Sequence, residues 1–229
     1  MKIIVTQDLD LFPDQLERLK TLGEVKVYND LAEDYDAWLD RVKGFDIICT
    51  GKFGLKQKVY ELKDVFISLP FVGTGWIDTN QTAANNVVVS NSPGCNKDAV
   101  SEWIIMMILV LLRRLPRYIN VLDLPKGVIP LPDKGASHAA VTILGAGHIG
   151  LRTGKICEAL DMDVCYFRRE DDLRQVVQNA DVVVNTLSLN PTTKGLLSEE
   201  FFSWLKPEAY LVSVTSSGIY DIDALTAAL

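Results

Sequence analysis

The stretch that most restricts this chain is Gly145-Ala146-Gly147-His148-Ile149-Gly150, which joins the β-branched run Ala140–Leu144 to a segment of helical spacing ending near Leu160. Glycines spaced G-x-G-x-x-G between a strand and a helix imply a tight turn at Gly145, bare backbone at Gly147 and close helix packing at Gly150. The first N–H groups of a helix lack intrahelical partners, and the helix dipole adds positive potential there. Such a turn suits an anion, and with a further strand at Asp163–Phe167 in the same unit it is the pattern of a dinucleotide pyrophosphate site. Gly145, Gly147, His148, Ile149 and Gly150 are therefore expected to hold a cofactor.

In such units an acidic residue about 20 positions on holds the ribose 2′-hydroxyl of NAD. Here the strand Asp163–Phe167 ends in Arg168 and Arg169. Guanidinium pairs with a 2′-phosphate where a carboxylate would repel it, so the pair points to NADP, with NAD as the alternative. The competing reading is two solvated arginines balanced by Glu170, Asp171 and Asp172.

The rest of the chain alternates in the same way. Ahead of the turn, Lys2–Thr6, Glu24–Tyr28, Asp46–Thr50, Val65–Leu69 and Val87–Ser90 read as strands, with helices at Phe12–Leu22, Tyr35–Val42 and Gln57–Leu62. Beyond it, Leu173–Asn179 and Ser198–Leu205 read as helices, Asp181–Thr186 and Tyr210–Val214 as strands, and Asp221 caps a last amphipathic piece. Strand–helix alternation implies α/β architecture with parallel sheets. Between the halves, a helix from Lys97 to about Tyr118 is apolar on nearly every face from Trp103 to Leu112. Burial in its own domain and packing against a second subunit both satisfy that face. The following loop, Asp123–Ala139, carries Pro125, Pro130, Pro132, Gly127 and Gly135.

A net charge of −7 disfavours nucleic acid and anionic membranes as partners. The run Trp103–Leu112 falls short of the about 20 residues of a membrane span, and no secretory signal is visible. Cys49, Cys95, Cys157 and Cys165 show no CxxC spacing, and three sit among apolar neighbours. Buried reduced thiols are expected, with no metal site, in a cytoplasmic protein.

Several stretches together resemble the D-isomer-specific 2-hydroxyacid dehydrogenase family. Phe71-Val72-Gly73-Thr74-Gly75-Trp76-Ile77-Asp78 is similar to its substrate loop GVGxDNID. Asn91-Ser92-Pro93-Gly94 with Ala99-Val100-Ser101-Glu102 resembles NTPG…AVAE, Asp181–Leu197 resembles DVVxLHLPLTPETRGLI, and Leu211–Leu225 resembles LINxxRGGxVDxxAL. The resemblance implies two Rossmann-like domains: a flavodoxin-like substrate domain over residues 1–96 and an NAD(P)-binding domain over 97–229. It implies hydride exchange between a nicotinamide cofactor and a small 2-keto or 2-hydroxy acid. It also implies that N–H groups around Val72 and Gly73 hold the acid's carboxylate, and that His148, Ile149, Arg168, Leu187, Thr193, Val214 and Thr215 meet the cofactor. The family's interdomain helix forms its dimer interface, which tilts the Trp103–Leu112 helix toward a homodimer.

The chain departs from that pattern at the chemistry. The family's substrate-fixing arginine falls at Ser216, which offers one neutral hydrogen bond in place of a charged fork. Losing such a donor costs about 10²–10³ in rate. The family's glutamate and histidine follow later strands, and neither His138, in a loop, nor His148, in the turn, matches the histidine's place. Four strands after Ala139, where a full domain has about six, read as a dinucleotide domain incomplete at its C-terminus and as a piece of a longer protein. Lys52, after the strand Asp46–Thr50, is either an ordinary loop lysine or a point charge for a carboxylate. Two functions follow: an oxidoreductase of 2-hydroxy and 2-keto acids, or an NADP(H)-binding regulator on the same scaffold.

Overall fold

The computed structural model describes residues 1–115 and 135–229, which divide into two units, Met1–Cys95 and Asn96–Leu229. Pro116, Pro125, Pro130, Pro132, Gly127 and the expected helix end at Tyr118 lie outside the described residues.

In the first unit, β1 (Lys2–Val5), β2 (Glu24–Val27), β3 (Ile47–Cys49), β4 (Val65–Ser68) and β5 (Val87–Ser90) form one parallel sheet in the order β2-β1-β3-β4-β5. Ile3, Ile4 and Val5 are all buried, as a strand covered on both faces requires, while edge strand β2 exposes Glu24 and Lys26. The helices are α1 (Pro13–Lys20), α2 (Tyr35–Val42), α3 (Leu55–Lys58, continued by a 3₁₀ turn Val59–Glu61) and α4 (Thr79–Ala84). Pro13 starts α1, and Asp34 caps α2 by accepting from the Ala37 N–H at 2.7 Å. The core gathers Ile4, Ile48 and Ile67 from the sheet with Trp38, Leu55 and Val59 from the helices. Each such aliphatic side chain contributes roughly 1.5–3 kcal/mol by leaving water.

The second unit opens with α5 (Lys97–Leu112). It stops short of the expected length because Arg113 ends the helix and Arg114 takes a left-handed φ of 50°. Its buried residues Ser101, Ile104, Ile105, Ile108 and Leu112 follow helical spacing; the four aliphatic ones join a core with Val141, Ile143 and Cys157, and the Ser101 hydroxyl donates to the Ile149 carbonyl at 3.3 Å, whereas Trp103 and Met106 are 45% and 48% exposed. The sequence demanded cover on all sides; among the described residues nothing covers one face of α5. Then come β6 (Ala140–Leu144), α6 (His148–Ala159), β7 (Asp163–Phe167), α7 (Leu173–Val177), β8 (Val182–Asn185), α8 (Glu199–Ser203), β9 (Tyr210–Ser213) and α9 (Ile222–Ala228). The sheet is parallel, in the order β7-β6-β8-β9. All four residues of central β8 are buried.

Two expectations need correction. All four cysteines are free thiols, but only Cys157 is buried; Cys49 is half-buried and Cys95 and Cys165 are exposed. Cys165 lies on edge strand β7, where its apolar sequence neighbours point to the opposite face. Helix α4 was not anticipated, since Thr-Asn-Gln-Thr-Ala-Ala has no apolar stripe; Asp78 starts it by accepting from the Asn80 and Gln81 N–H groups at 2.9 and 3.3 Å. No helix among the described residues is long and apolar enough to cross a membrane.

Candidate functional site

In the second unit the glycine turn joins β6 to the twelve-residue helix α6. Gly145 has a φ of +102°, which L side chains rarely adopt. A Cβ on Gly150 would sit 2.0 Å from the Gly145 carbonyl oxygen, so that position is closed to any larger residue. Gly147 differs: a Cβ there would meet nothing within 4 Å. Packing explains Gly145 and Gly150 but not Gly147, whose bare backbone leaves open room above the start of α6. The turn thus fits a pyrophosphate, with the exposed His148 and half-buried Ile149 supplying first-turn N–H groups.

The turn forms one wall of an open cleft of about 590 Å³. Phe167, Arg168 and Arg169 come from the end of β7, and Leu187, Ser188, Asn190, Thr192, Thr193 and Leu196 come from the segment after β8. Asp171 accepts from the Arg168 backbone N–H at 2.7 Å, which folds the chain back after β7. Both guanidiniums are exposed, and among the described residues neither makes an ion pair. The opposite wall is braced internally. Asn190 Oδ1 accepts from the Thr192 N–H and hydroxyl at 2.9 and 2.7 Å, and the Thr193 hydroxyl donates to the Ser188 carbonyl at 2.7 Å. Below it, the Thr186 hydroxyl donates to the Leu144 and Gly145 carbonyls at 3.0 and 2.9 Å, tying this wall to the turn.

Val214, Thr215 and Ser216 follow β9. Ser216 is exposed, and its Oγ accepts from the Gly218 N–H at 3.4 Å, capping a 3₁₀ turn over Ser217–Ile219. Gly145, Arg168, Arg169, Leu187 and Thr193 thus share one cleft. Phe167, Ser188, Asn190, Thr192 and Leu196 were missed as wall residues. His138 is an exposed loop residue whose N–H donates to the Asp161 carbonyl at 2.6 Å.

In the first unit the candidate substrate residues lie beyond the carboxyl ends of β3 and β4. The Val72 carbonyl accepts from Asn91 Nδ2 at 2.7 Å and the Gly73 carbonyl from Trp76 Nε1 at 3.1 Å. Among the described residues, neither Val72 nor Gly73 gives its N–H to a backbone carbonyl. Lys52 is exposed, with Nζ 5.2 Å from the centre of the Phe71 ring, the residue that opens this loop.

The sequence profile described as "D-isomer specific 2-hydroxyacid dehydrogenase, NAD binding domain" matches residues 105–229. A D-3-phosphoglycerate dehydrogenase of Haemophilus influenzae is 30% identical over 237 residues, covering 93% of this chain and 56% of that protein. The chain spans about half the length of the curated relatives it matches. Among solved structures, an acyclic imino acid reductase in complex with NADPH and D-Arg superposes with a TM-score of 0.86 at 20% identity, over 100% of this chain and 79% of that one. An NAD⁺-bound 3-phosphoglycerate dehydrogenase of Entamoeba histolytica gives 0.75 at 19% identity, over 99% of this chain and 76% of that one. At such identities the likeness is one of fold.

Proposed function

The chain belongs to the D-isomer specific 2-hydroxyacid dehydrogenase family, and on that premise we propose that it binds a nicotinamide dinucleotide, NADP in preference to NAD, for hydride exchange with a small 2-hydroxy or 2-keto acid. The observation that carries the reading is the cleft wall at the glycine turn, where Gly147 is bare without any packing reason and two exposed guanidiniums, neither in an ion pair among the described residues, stand on the rim. Residues 97–229 act as the cofactor domain and residues 1–96 as the substrate domain. Gly145, Gly147, His148, Ile149 and Gly150 receive the pyrophosphate, and Arg168 with Arg169 pairs with the 2′-phosphate. Leu187, Thr193, Val214 and Thr215 flank the rest of the dinucleotide. The N–H groups of Val72 and Gly73 hold the acid's carboxylate, with Lys52 as a nearby positive charge. Bound nicotinamide supplies or accepts the hydride; the chain's own part is to orient both ligands.

Ser216 favours a second reading. A serine in the family's arginine position removes the charged fork from the substrate, which suits an NADP(H)-binding regulator that does not turn over. Nicotinamide fluorescence with NADPH and NADH, followed by a screen of 2-keto acids for oxidation of bound NADPH, separates the two. Tighter NADPH binding with turnover supports the oxidoreductase; binding without turnover of any acid supports the regulator; no binding of either cofactor overturns both.

The reading extends to a homodimer in the cytoplasm. The open face of α5 supports it: Ile105, Met106, Leu109, Val110 and Leu115 line an apolar groove of about 570 Å³ with Ile156 of α6. A second copy burying this face would supply the cover that its composition calls for. Sedimentation of the chain tests it, with Met106→Lys expected to shift a dimer to monomer.

A further inference from the structure

The dinucleotide reading also orients the cleft. With the pyrophosphate on the turn after β6 and the adenosine ribose beside Arg168 at the end of β7, the nicotinamide half extends across the ends of β8 and β9, on the other side of β6. A fully buried polar side chain stands at the end of β8. Asn185, the last residue of β8, has no solvent exposure. Its Nδ2 donates to the Thr215 hydroxyl at 2.9 Å and to the Ser213 hydroxyl at 3.2 Å, and its Oδ1 accepts from the Leu187 N–H at 3.1 Å. A single amide thus ties together the two segments that leave β8 and β9.

The motifs show that this amide stands on an unusual strand. In the pattern that Asp181–Leu197 resembles, position 185 is leucine; in the pattern that Leu211–Leu225 resembles, position 213 is asparagine. Here 185 is asparagine and 213 is a small serine. Asn185 and Ser213 are register partners in the parallel ladder, so their side chains leave the same face of the sheet. The amide has in effect been passed to the neighbouring strand.

We propose that Asn185 is a positioning residue for the nicotinamide end of the cleft, holding the Leu187 and Thr215 segments at fixed separation. The proposal rests on the dinucleotide reading above. Removing the amide costs the Leu187 N–H its acceptor and leaves the half-buried Ser213 and Thr215 hydroxyls, 3.4 Å apart, only each other, so the two segments relax to satisfy them. Arg168 and Arg169, at the end of β7, supply no group to this network among the described residues, and the adenosine side meets it only through Leu187.

That asymmetry supplies the test. Calorimetric titrations with NADPH and with 2′-phospho-ADP-ribose, which lacks the nicotinamide, compare the two ends of the cleft. Asn185→Leu, close in volume, is expected to weaken NADPH about tenfold and 2′-phospho-ADP-ribose by less than about twofold. Thr215→Val removes the other end of the same bond at a half-buried site and is expected to give the same pattern, which covers a failure of Asn185→Leu to fold. Asn185→Leu combined with Ser213→Asn returns the amide to the partner strand and is expected to restore NADPH binding to within about threefold. Equal weakening of both ligands, unchanged NADPH affinity, or selective loss that the combined variant does not restore would overturn the proposal. Failure of the unaltered chain to bind NADPH or NADH removes the dinucleotide reading itself and is seen before any variant is made.

Discussion

Gly150 approaches Gly145 so closely that a Cβ on Gly150 would lie 2.0 Å from the Gly145 carbonyl oxygen. The obstacle is backbone, which cannot swing aside as a side chain would. Gly150→Ala must push α6 away from β6, at a cost of about 1–3 kcal/mol. For a chain of this size each kcal/mol lowers Tm by about 2–4 °C. Gly147→Ala is the counterpart, since its methyl group meets nothing within 4 Å. Because Gly147 is the N-cap of α6 and alanine caps less well, the variant should lower Tm by only about 1–4 °C while weakening NADPH at least about tenfold, as its methyl would occupy the proposed approach to the pyrophosphate. Thermal melts and nicotinamide fluorescence on both variants check the contrast.

Arg168 and Arg169 decide cofactor choice if the 2′-phosphate lies on the cleft's β7 side. Asp171 already closes the Arg168 turn through the backbone, so the guanidinium can be replaced without undoing the turn. Arg168→Asp puts a carboxylate where NAD's 2′-hydroxyl would be bound and a 2′-phosphate repelled. NADPH affinity should fall about tenfold or more while NADH affinity holds or rises. Titration of both cofactors measures it, and the same ratio in variant and parent would sink the NADP assignment.

The glycine turn and the strands around it were legible because their signals are local: glycine spacing, β-branched runs and a helix start within a few residues. Asn185 was not. It closes an apolar run, Val182-Val183-Val184, and reads as a strand end, while the hydroxyls it serves lie 28 and 30 residues further on. Only the ladder register brings them together. The same limit explains Cys165, whose sequence neighbours Val164 and Tyr166 pack inward while its own side chain faces out. The end of α5 escaped notice because two arginines are ordinary helix residues, Leu115 resumes the apolar spacing after them, and a left-handed Arg114 has no compositional mark.

Thiol accessibility follows from these positions. Cys95 and Cys165 should react fastest with a neutral aromatic disulfide in the native chain, half-buried Cys49 more slowly, and buried Cys157 only on unfolding. Burial pushes the Cys157 thiol up to about 11 from an ordinary value of 9.0, with the Glu158 carboxylate adding to the rise. Burial raises Cys49 as well. A raised folded pKa means that the unfolded chain loses its thiol protons first. Stability from these groups is therefore complete below pH about 8.5–9 and is lost as pH climbs toward 11. Denaturant melts across that window should show the decline, and Cys157→Ala should flatten it.

Ser216 decides how far the family's chemistry survives here. It is exposed and bonds only weakly to the Gly218 N–H at 3.4 Å, so the fold has little invested in it. Ser216→Arg should cost no more than about 1 kcal/mol of turn capping. In return it restores a planar, charged fork beside Thr215, where the pattern LINxxRGG carries arginine. A charge-assisted pair is worth about 1.5–3 kcal/mol, so affinity of the NADPH-loaded chain for glyoxylate or pyruvate should rise about tenfold to a hundredfold. Quenching of bound NADPH fluorescence by the acid measures it without requiring turnover. If the parent chain already binds these acids and Ser216→Arg leaves the affinity unchanged, the substrate is held by Val72, Gly73 and Lys52 without help from this loop. If neither chain binds any acid while both bind NADPH, the serine marks a cofactor-binding regulator.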